Sequence, residues 1–122
     1  MSYGLTAEQE QLRARARDLA RDVAAPRAAE VDESESYPWE NVEALKEQGF
    51  MGMTIPEAYG GPGHELLDAV LVVEEMSKAC GVTGRIVVEA NMGALSAVMA
   101  YGTEEQKKLA AGLVLAAMLG PS

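Results

Sequence analysis

The chain has 122 residues, of which 48% are hydrophobic and only 5% aromatic, and its formal charge is −9 at pH 7. This length suffices for one domain with its own core, and the scarcity of aromatic residues favours helices over a β-sheet. The acidic balance argues against nucleic acid and against an anionic membrane surface as partners.

The single cysteine, Cys80, cannot form an internal disulfide, which is typical of a reducing, cytoplasmic compartment. The first ten residues lack the pattern of a signal peptide. No run reaches the roughly 18 apolar residues that a membrane-spanning helix requires. The composition therefore predicts a cytoplasmic domain with neither a membrane nor a nucleic acid as its partner.

The first of five predicted helices begins after Thr6, which can form a capping box with Gln9. Apolar residues at spacings of four, three and four then make one helical stripe: Leu12, Ala16, Leu19 and Val23. Pro26 is expected to bend this helix or to end it near Ala24 or Ala25, because proline lacks a backbone donor.

The second predicted helix has Pro38 as its first residue, runs to about Gln48 and stops at Gly49. A linker follows over residues 50–63. The third predicted helix, residues 65–79, is apolar around almost its whole circumference, which predicts a buried helix.

The fourth predicted helix runs from Thr83 or Gly84 to Tyr101 and is also nearly apolar. Thr103 is expected to cap a fifth helix. Two such apolar helices carry more hydrophobic surface than a chain of this size can enclose. Part of that surface is therefore expected to face another domain or another subunit.

No conventional catalytic or metal site is predicted from these residues. His64, the only histidine, lies in a glycine-rich turn and is expected to be an ordinary surface residue. Cys80, at the end of an apolar helix, is expected to be an inert core thiol. The turn at residues 60–63 lacks the Lys-Ser/Thr ending of a phosphate-binding loop, and Pro62 removes one of its donors.

One charged pair stands out in the fourth predicted helix. Arg85 falls in its predicted first turn, where the helix dipole disfavours a cation, and Glu89 follows one turn later. Two interpretations stay open. The pair is either a local ion pair at the edge of the domain, or a pair whose free-energy cost in an apolar helix is offset by a ligand or a partner. In the second interpretation Arg85 is the residue that contacts an anionic substrate group.

Six short motifs stand in order at residues 5–9, 25–32, 49–53, 55–63, 74–76 and 101–107. Together they resemble the N-terminal domain of the acyl-CoA dehydrogenase family, from residue 5 to about residue 116. The resemblance implies an all-α domain over residues 1–116, with about five helices in an orthogonal or up-down bundle. Residues 117–122 form a tail that departs from the family pattern.

Within the family, residues 37–42, 77–80, 84–91 and 108–116 look most like the 3-sulfinopropionyl-CoA desulfinase branch. Such enzymes release sulfite from a short sulfinated acyl-CoA. The resemblance implies an FAD flavoenzyme that acts at the Cα–Cβ region of a short acyl-CoA and forms a homo-oligomer, a dimer or a tetramer. Most FAD contacts are expected from a following β-sheet domain and a C-terminal helical bundle, and the FAD-binding residues of this chain are unknown.

The resemblance also implies that this domain covers one side of the acyl pocket. The corresponding substrate-binding residues are Arg85, Ile86, Glu89, Ala90 and Gly93. In the desulfinase branch an arginine at the position of Arg85 is thought to hold the sulfinate. The small residues Ala90 and Gly93 would leave room for a ligand or, alternatively, permit close helix packing.

Because the sequence departs from the family pattern after Ala116, the chain is expected to be cut short by a truncation or frameshift, and to be inactive alone. A competing hypothesis is a stand-alone helical interaction module without catalysis, which covers its apolar surface by self-association. A third is one subunit of a split enzyme, complemented in trans by the missing domains.

Overall fold

The computed structural model describes residues 4–119. Within this range the chain consists of helices joined by turns and loops, which confirms the predicted all-α class. No helix in the described range is long and apolar enough to cross a membrane. The α-helices are α1 (Ala7–Leu19), α2 (Ala25–Ser34), α3 (Trp39–Glu47), α4 (Leu66–Ala79), α5 (Gly81–Asn91), α6 (Ala94–Tyr101) and α7 (Glu104–Leu119).

Helix α1 begins at the predicted capping box. The Gln9 N–H donates to Oγ1 of Thr6 at 3.1 Å, and the Thr6 N–H donates to Oε1 of Gln9 at 3.0 Å. At Pro26 the predicted disruption is a change of helix type instead of an end. A π-helical segment, Ala20–Ala24, leads directly into α2, since its wider turn leaves space for the proline ring.

Helix α3 ends at the predicted stop. Gly49 adopts a left-handed φ of 74°, and the N–H groups of Gly49 and Phe50 bond to the carbonyls of Lys46 and Leu45, both at 3.0 Å. This turn directs the Phe50 side chain into the core, where it is fully buried.

The prediction of one continuous fourth helix was wrong, because α5 and α6 are separate. Helix α5 starts at Gly81, earlier than predicted, and ends at Asn91. Met92 is extended, and Gly93 has φ 63° and ψ −125°, a backbone conformation that residues with a Cβ rarely adopt. A helical pattern in the sequence does not reveal such a break, since both halves are apolar.

Helix α4 is buried on one face only, so the prediction of an all-round buried helix was wrong for this chain. Val72 and Met76 are fully buried, whereas Leu66 is 58% exposed and Leu67 and Val70 are also exposed. Helices α1 and α5 cover the inner face of α4. The described residues supply no helix for its outer face.

Two hydrophobic clusters form the interior. The main cluster joins α1, α3, α4 and α5 around Phe50 and Met53. A smaller cluster of Ile55, Leu95 and Ala111 attaches α6 and α7 to the linker. Thr103 caps helix α7 as predicted and shares reciprocal bonds with Gln106. The helix continues to Leu119, and residues 120–122 of the predicted off-pattern tail lie outside the described residues.

Candidate functional site

The predicted substrate-binding residues lie on or directly after α5, so the position of this helix decides the geometry of the site. At Gly84, α5 approaches α4 closely. A Cβ built at Gly84 would lie 2.1 Å from Oγ and 2.9 Å from Cα of Ser77. The backbone of α5 therefore rests directly on α4, at the residue that precedes Arg85.

A buried polar contact fixes the first turn of α5 against α3. Nδ2 of Asn41 donates to Oγ1 of Thr83 at 2.9 Å, and both side chains are almost fully buried. A buried amide needs such a partner, because an unsatisfied polar group inside the protein costs stability. The contact thus sets the position of α5 relative to α3.

The side chain of Asn91 holds the other end of α5. Its Oδ1 accepts a hydrogen bond from the Met53 N–H at 2.6 Å, and its Nδ2 donates to the carbonyls of Phe50 and Val87, both at 2.9 Å. The Thr54 hydroxyl donates to the Asn91 carbonyl at 2.6 Å. Every polar atom of the fully buried amide is engaged, and the linker is thereby fastened to the end of α5.

Arg85 and Glu89 project from the outer face of α5. Nε of Arg85 donates to Oε1 of Glu89 at 3.2 Å, and the side chains are 81% and 65% exposed. Because α5 begins at Gly81, Arg85 lies in the second turn. The predicted placement in the first turn was wrong, and the unfavourable interaction with the helix dipole is correspondingly weaker.

The other three predicted site residues lie in different surroundings. Ile86 is only 7% exposed and packs in the main core, away from the face that carries Arg85. Ala90 is half-buried, and Gly93 is exposed at the break after α5. A Cβ at Gly93 would have no neighbour within 4 Å, so within this chain its backbone conformation, and not close packing, requires glycine.

Outside α5, the only histidine and its neighbour Asp68 have structural partners. Nδ1 of the exposed His64 lies 3.1 Å from Oδ2 of Asp68, and Asp68 also accepts hydrogen bonds from the Glu65 N–H and the Gln9 side chain. Burial opposes ionisation of Asp68, but these bonds outweigh it and lower its pKa. Cys80 is buried, as predicted for a core thiol. Among residues 4–119 no cluster of three acidic, histidine or cysteine side chains is placed to hold a metal ion.

Glu75 is the buried acidic side chain of α4, with 5% of its side chain exposed. Arg17 of α1 donates to Oε1 of Glu75 from Nη2 at 3.1 Å, and Nζ of Lys78 lies 3.5 Å from the same oxygen. Burial raises the pKa of Glu75, but the hydrogen bond and charge of Arg17, with help from Lys78, bring it below its ordinary value. The pair joins α1 to α4.

A cavity of about 530 Å³ lies away from α5, between the starts of α1 and α4. Its lining includes Gln9, Arg15, His64 and Asp68. The polar groups of Gln9, His64 and Asp68 already bond to one another or to helix caps. These three side chains therefore serve the local structure of the two helix starts.

Sequence reasoning did not assign the residues that position α5: Asn41, Ser77, Gly84 and Asn91. Asn91 was recognisable only as a polar residue within an apolar helix, and Gly84 as a glycine without an evident turn. Their partners outside their own helix lie between 7 and 42 residues away in the chain, so no local pattern identifies them.

Comparison with known proteins agrees with this architecture. Residues 6–112 match the family model described as acyl-CoA dehydrogenase, N-terminal domain. The 3-sulfinopropanoyl-CoA desulfinase of Variovorax paradoxus is 60% identical over 114 residues, which are 93% of this chain and 29% of that protein. The short-chain specific acyl-CoA dehydrogenase of Clostridium acetobutylicum is 42% identical, over 88% of this chain and 28% of that protein.

Among solved structures, butyryl-CoA dehydrogenase from Megasphaera elsdenii superposes with a TM-score of 0.80 and 28% identity, over 93% of this chain and 31% of that one. The chain thus spans about three-tenths of the length of each of these relatives. The predicted resemblance is confirmed over nearly all of the described fold. This chain belongs to the acyl-CoA dehydrogenase family, in which it corresponds to the N-terminal helical domain.

Proposed function

We propose that the chain is the N-terminal domain of a desulfinase that releases sulfite from a short sulfinated acyl-CoA, such as 3-sulfinopropanoyl-CoA. The observation that carries the proposal is the 60% identity to the desulfinase of Variovorax paradoxus, against 42% to the short-chain dehydrogenase. The exposed guanidinium of Arg85 adds chemical support, because the substrate ends in an anion.

In the proposed reaction the bond between the β-carbon and sulfur breaks. A proton is added to that carbon, water supplies the third oxygen of sulfite, and propionyl-CoA remains. Arg85 presents a planar set of donors that matches two sulfinate oxygens, and charge-assisted bonds of this kind are the stronger ones. Arg85 therefore binds and orients the leaving group, while Ala90 and Gly93 leave space beside the acyl chain.

A flavin is part of the proposal, but the described residues do not form a site for one by themselves. In the glycine-rich turn, a Cβ at Gly61 would lie 2.2 Å from the carbonyl oxygen of Ile55. The turn is thus closed against its own chain and offers no cradle for a pyrophosphate group. We assign FAD binding mostly to parts of the protein beyond this domain, together with the remaining wall of the acyl pocket.

The test uses the full-length protein that carries this domain. Sulfite release from 3-sulfinopropanoyl-CoA and the equilibrium binding of butyryl-CoA are measured for the wild type, for Arg85→Lys and for the control Arg21→Lys. Arg21 is an exposed arginine of the π-helical segment, where it pairs with Asp22. We expect Arg85→Lys to lower kcat/KM for the sulfinated substrate roughly tenfold or more, since lysine cannot form the bidentate contact.

The same substitution should change the binding of a neutral acyl-CoA little. Equal losses on both substrates, or a wild type that releases no sulfite, would overturn the proposal. Retained activity of Arg21→Lys controls for a general effect of replacing an arginine.

A second candidate is a helical interaction module that acts without catalysis, alone or as one subunit of a split enzyme. It is favoured by apolar side chains that the described residues leave exposed, among them Leu66, Leu67, Tyr101, Leu109 and Leu113. This candidate predicts that the 122-residue chain forms a discrete oligomer, or captures a flavin-bearing partner, and does not bind acyl-CoA. Light scattering and equilibrium binding of butyryl-CoA distinguish it from the enzyme domain.

A further inference from the structure

We infer that Glu89 is a positioning residue for Arg85: it holds the Nε side of the guanidinium, so that the edge formed by Nη1 and Nη2 is presented to the anionic end of the acyl group. This inference rests on the proposed function, because it concerns the same substrate. Glu89 thus acts through Arg85 and does not contact the substrate itself.

The geometry of the pair supports this role. The contact at 3.2 Å joins Nε, and not a terminal nitrogen, to Oε1 of Glu89. Nη1 and Nη2 make no hydrogen bond to any residue of the described range. Arginine has five donors in a rigid plane, so a carboxylate at Nε leaves the opposite edge available for two parallel bonds.

Helix stability gives little reason for the pair. Both side chains are largely exposed, and such pairs contribute little. An arginine that precedes a glutamate by four residues is also the weaker order on a helix. An unanchored arginine, in contrast, loses substantial rotamer freedom when it binds a ligand, and a partner that already restricts the side chain reduces that loss.

The charge of Glu89 constrains where the substrate can bind. A carboxylate repels a sulfinate, so the two anions must occupy different edges of the guanidinium. With Glu89 at Nε, the sulfinate is directed to the Nη1 and Nη2 edge. A second cation that would disturb this arrangement is absent from α5 itself, whose other described side chains are uncharged.

The test compares Glu89→Ala with Glu89→Gln in the full-length protein. Alanine removes the anchor, whereas the amide oxygen of glutamine still accepts the bond from Nε. We expect Glu89→Ala to raise the KM for 3-sulfinopropanoyl-CoA roughly three- to tenfold, with kcat nearly unchanged. This factor corresponds to the free-energy cost of ordering one long side chain when the substrate binds. Glu89→Gln should restore the KM to within about twofold of the wild type, and neither variant should alter the equilibrium affinity for butyryl-CoA.

Two controls make the result specific. Glu74→Ala removes the matched exposed pair with Lys78 on α4, at 3.6 Å, and should leave the KM unchanged. In the Arg85→Lys background, Glu89→Ala should have no further effect on the KM, because the positioned group is already lost.

A KM for Glu89→Ala equal to that of the wild type would overturn the inference, as would failure of Glu89→Gln to restore it. These outcomes differ from failure of the proposed function. If the wild type releases no sulfite, or if Arg85→Lys affects both substrates equally, the proposed function is wrong. If the wild type releases sulfite and Arg85→Lys is selective for the sulfinated substrate, but the Glu89 variants behave like the wild type, only the positioning role is wrong.

Discussion

The amide oxygen of Asn91, at the end of α5, accepts a hydrogen bond from the backbone N–H of Met53 at 2.6 Å. The two residues are 38 positions apart in the sequence, and both are fully buried. This bond fastens the linker to the helix that carries the proposed substrate residues. The stability of the domain and the shape of its site therefore depend on the same side chain.

Asn91→Asp should destabilise the 122-residue chain by about 2–4 kcal/mol at pH 7, because a buried carboxylate would face the carbonyls of Phe50 and Val87 without a proton to donate. Burial raises the pKa of such an aspartate, so the loss should diminish as the pH falls towards 4 and the group becomes protonated. Urea unfolding at several pH values measures this effect. The exposed control Gln106→Glu makes the same chemical change and should be nearly neutral; equal losses would contradict the role of the buried bonds.

Gly84→Ala should force α5 away from α4, since the new Cβ would meet the backbone of Ser77. We expect a loss of about 1–3 kcal/mol in the free energy of unfolding, typical of overpacking. Gly81→Ala, at the start of the same helix, has no neighbour within 4 Å and is the matched control. Thermal unfolding of both variants decides the matter, and a Gly84→Ala variant as stable as Gly81→Ala would refute the close approach.

Gly93→Ala should cost about 1–3 kcal/mol because alanine is strained at φ 63° and ψ −125°. No atom would obstruct the new methyl group, so the loss comes from the backbone alone. Gly112→Ala, in the interior of α7, should instead stabilise the chain by about 0.5–1 kcal/mol. Opposite signs in denaturant unfolding are expected, and a neutral Gly93→Ala would show that this backbone conformation is not required.

Glu75 should make stability depend on pH in the acidic range. Its folded pKa lies below its ordinary value of 4.5, so its contribution is complete above about pH 4.5 and is lost as the pH falls through the folded pKa. Glu75→Gln should lower the Tm at pH 7 by roughly 4 °C. The difference from the wild type should shrink on acidification, and a difference that is constant from pH 7 to pH 3 would contradict the ion pair with Arg17. The exposed neighbour Glu74→Gln is the control.

Local features of the fold were predictable because their physical causes are local. The capping box at Thr6, the cap at Thr103 and the stop at Gly49 depend on residues no more than five positions apart. The break at Gly93 was not predictable. An exposed glycine in an apolar run has no sequence feature that distinguishes a left-handed conformation from a helical one.

The candidate site also has one part that the sequence predicted and one part that it did not. The residue types of Arg85 and Glu89 and their spacing of one helical turn predicted their contact. Ile86, assigned to the substrate-binding residues through the family resemblance, packs in the main core, which its place in the helix pattern did not reveal. Which face of a helix is buried depends on which neighbouring helices cover it, and the helix's own sequence pattern does not contain that information.

The sequence by itself determined the helical class, several of the helix ends, the family and the charged pair on α5, since each follows from short-range patterns or ordered motifs. Only the tertiary structure decided that Gly84 rests on Ser77, that Asn91 binds the linker and that the outer face of α4 stays exposed. The physical reason is that packing and buried hydrogen bonds join residues far apart in the chain, and their partners exist only once the helices have assembled.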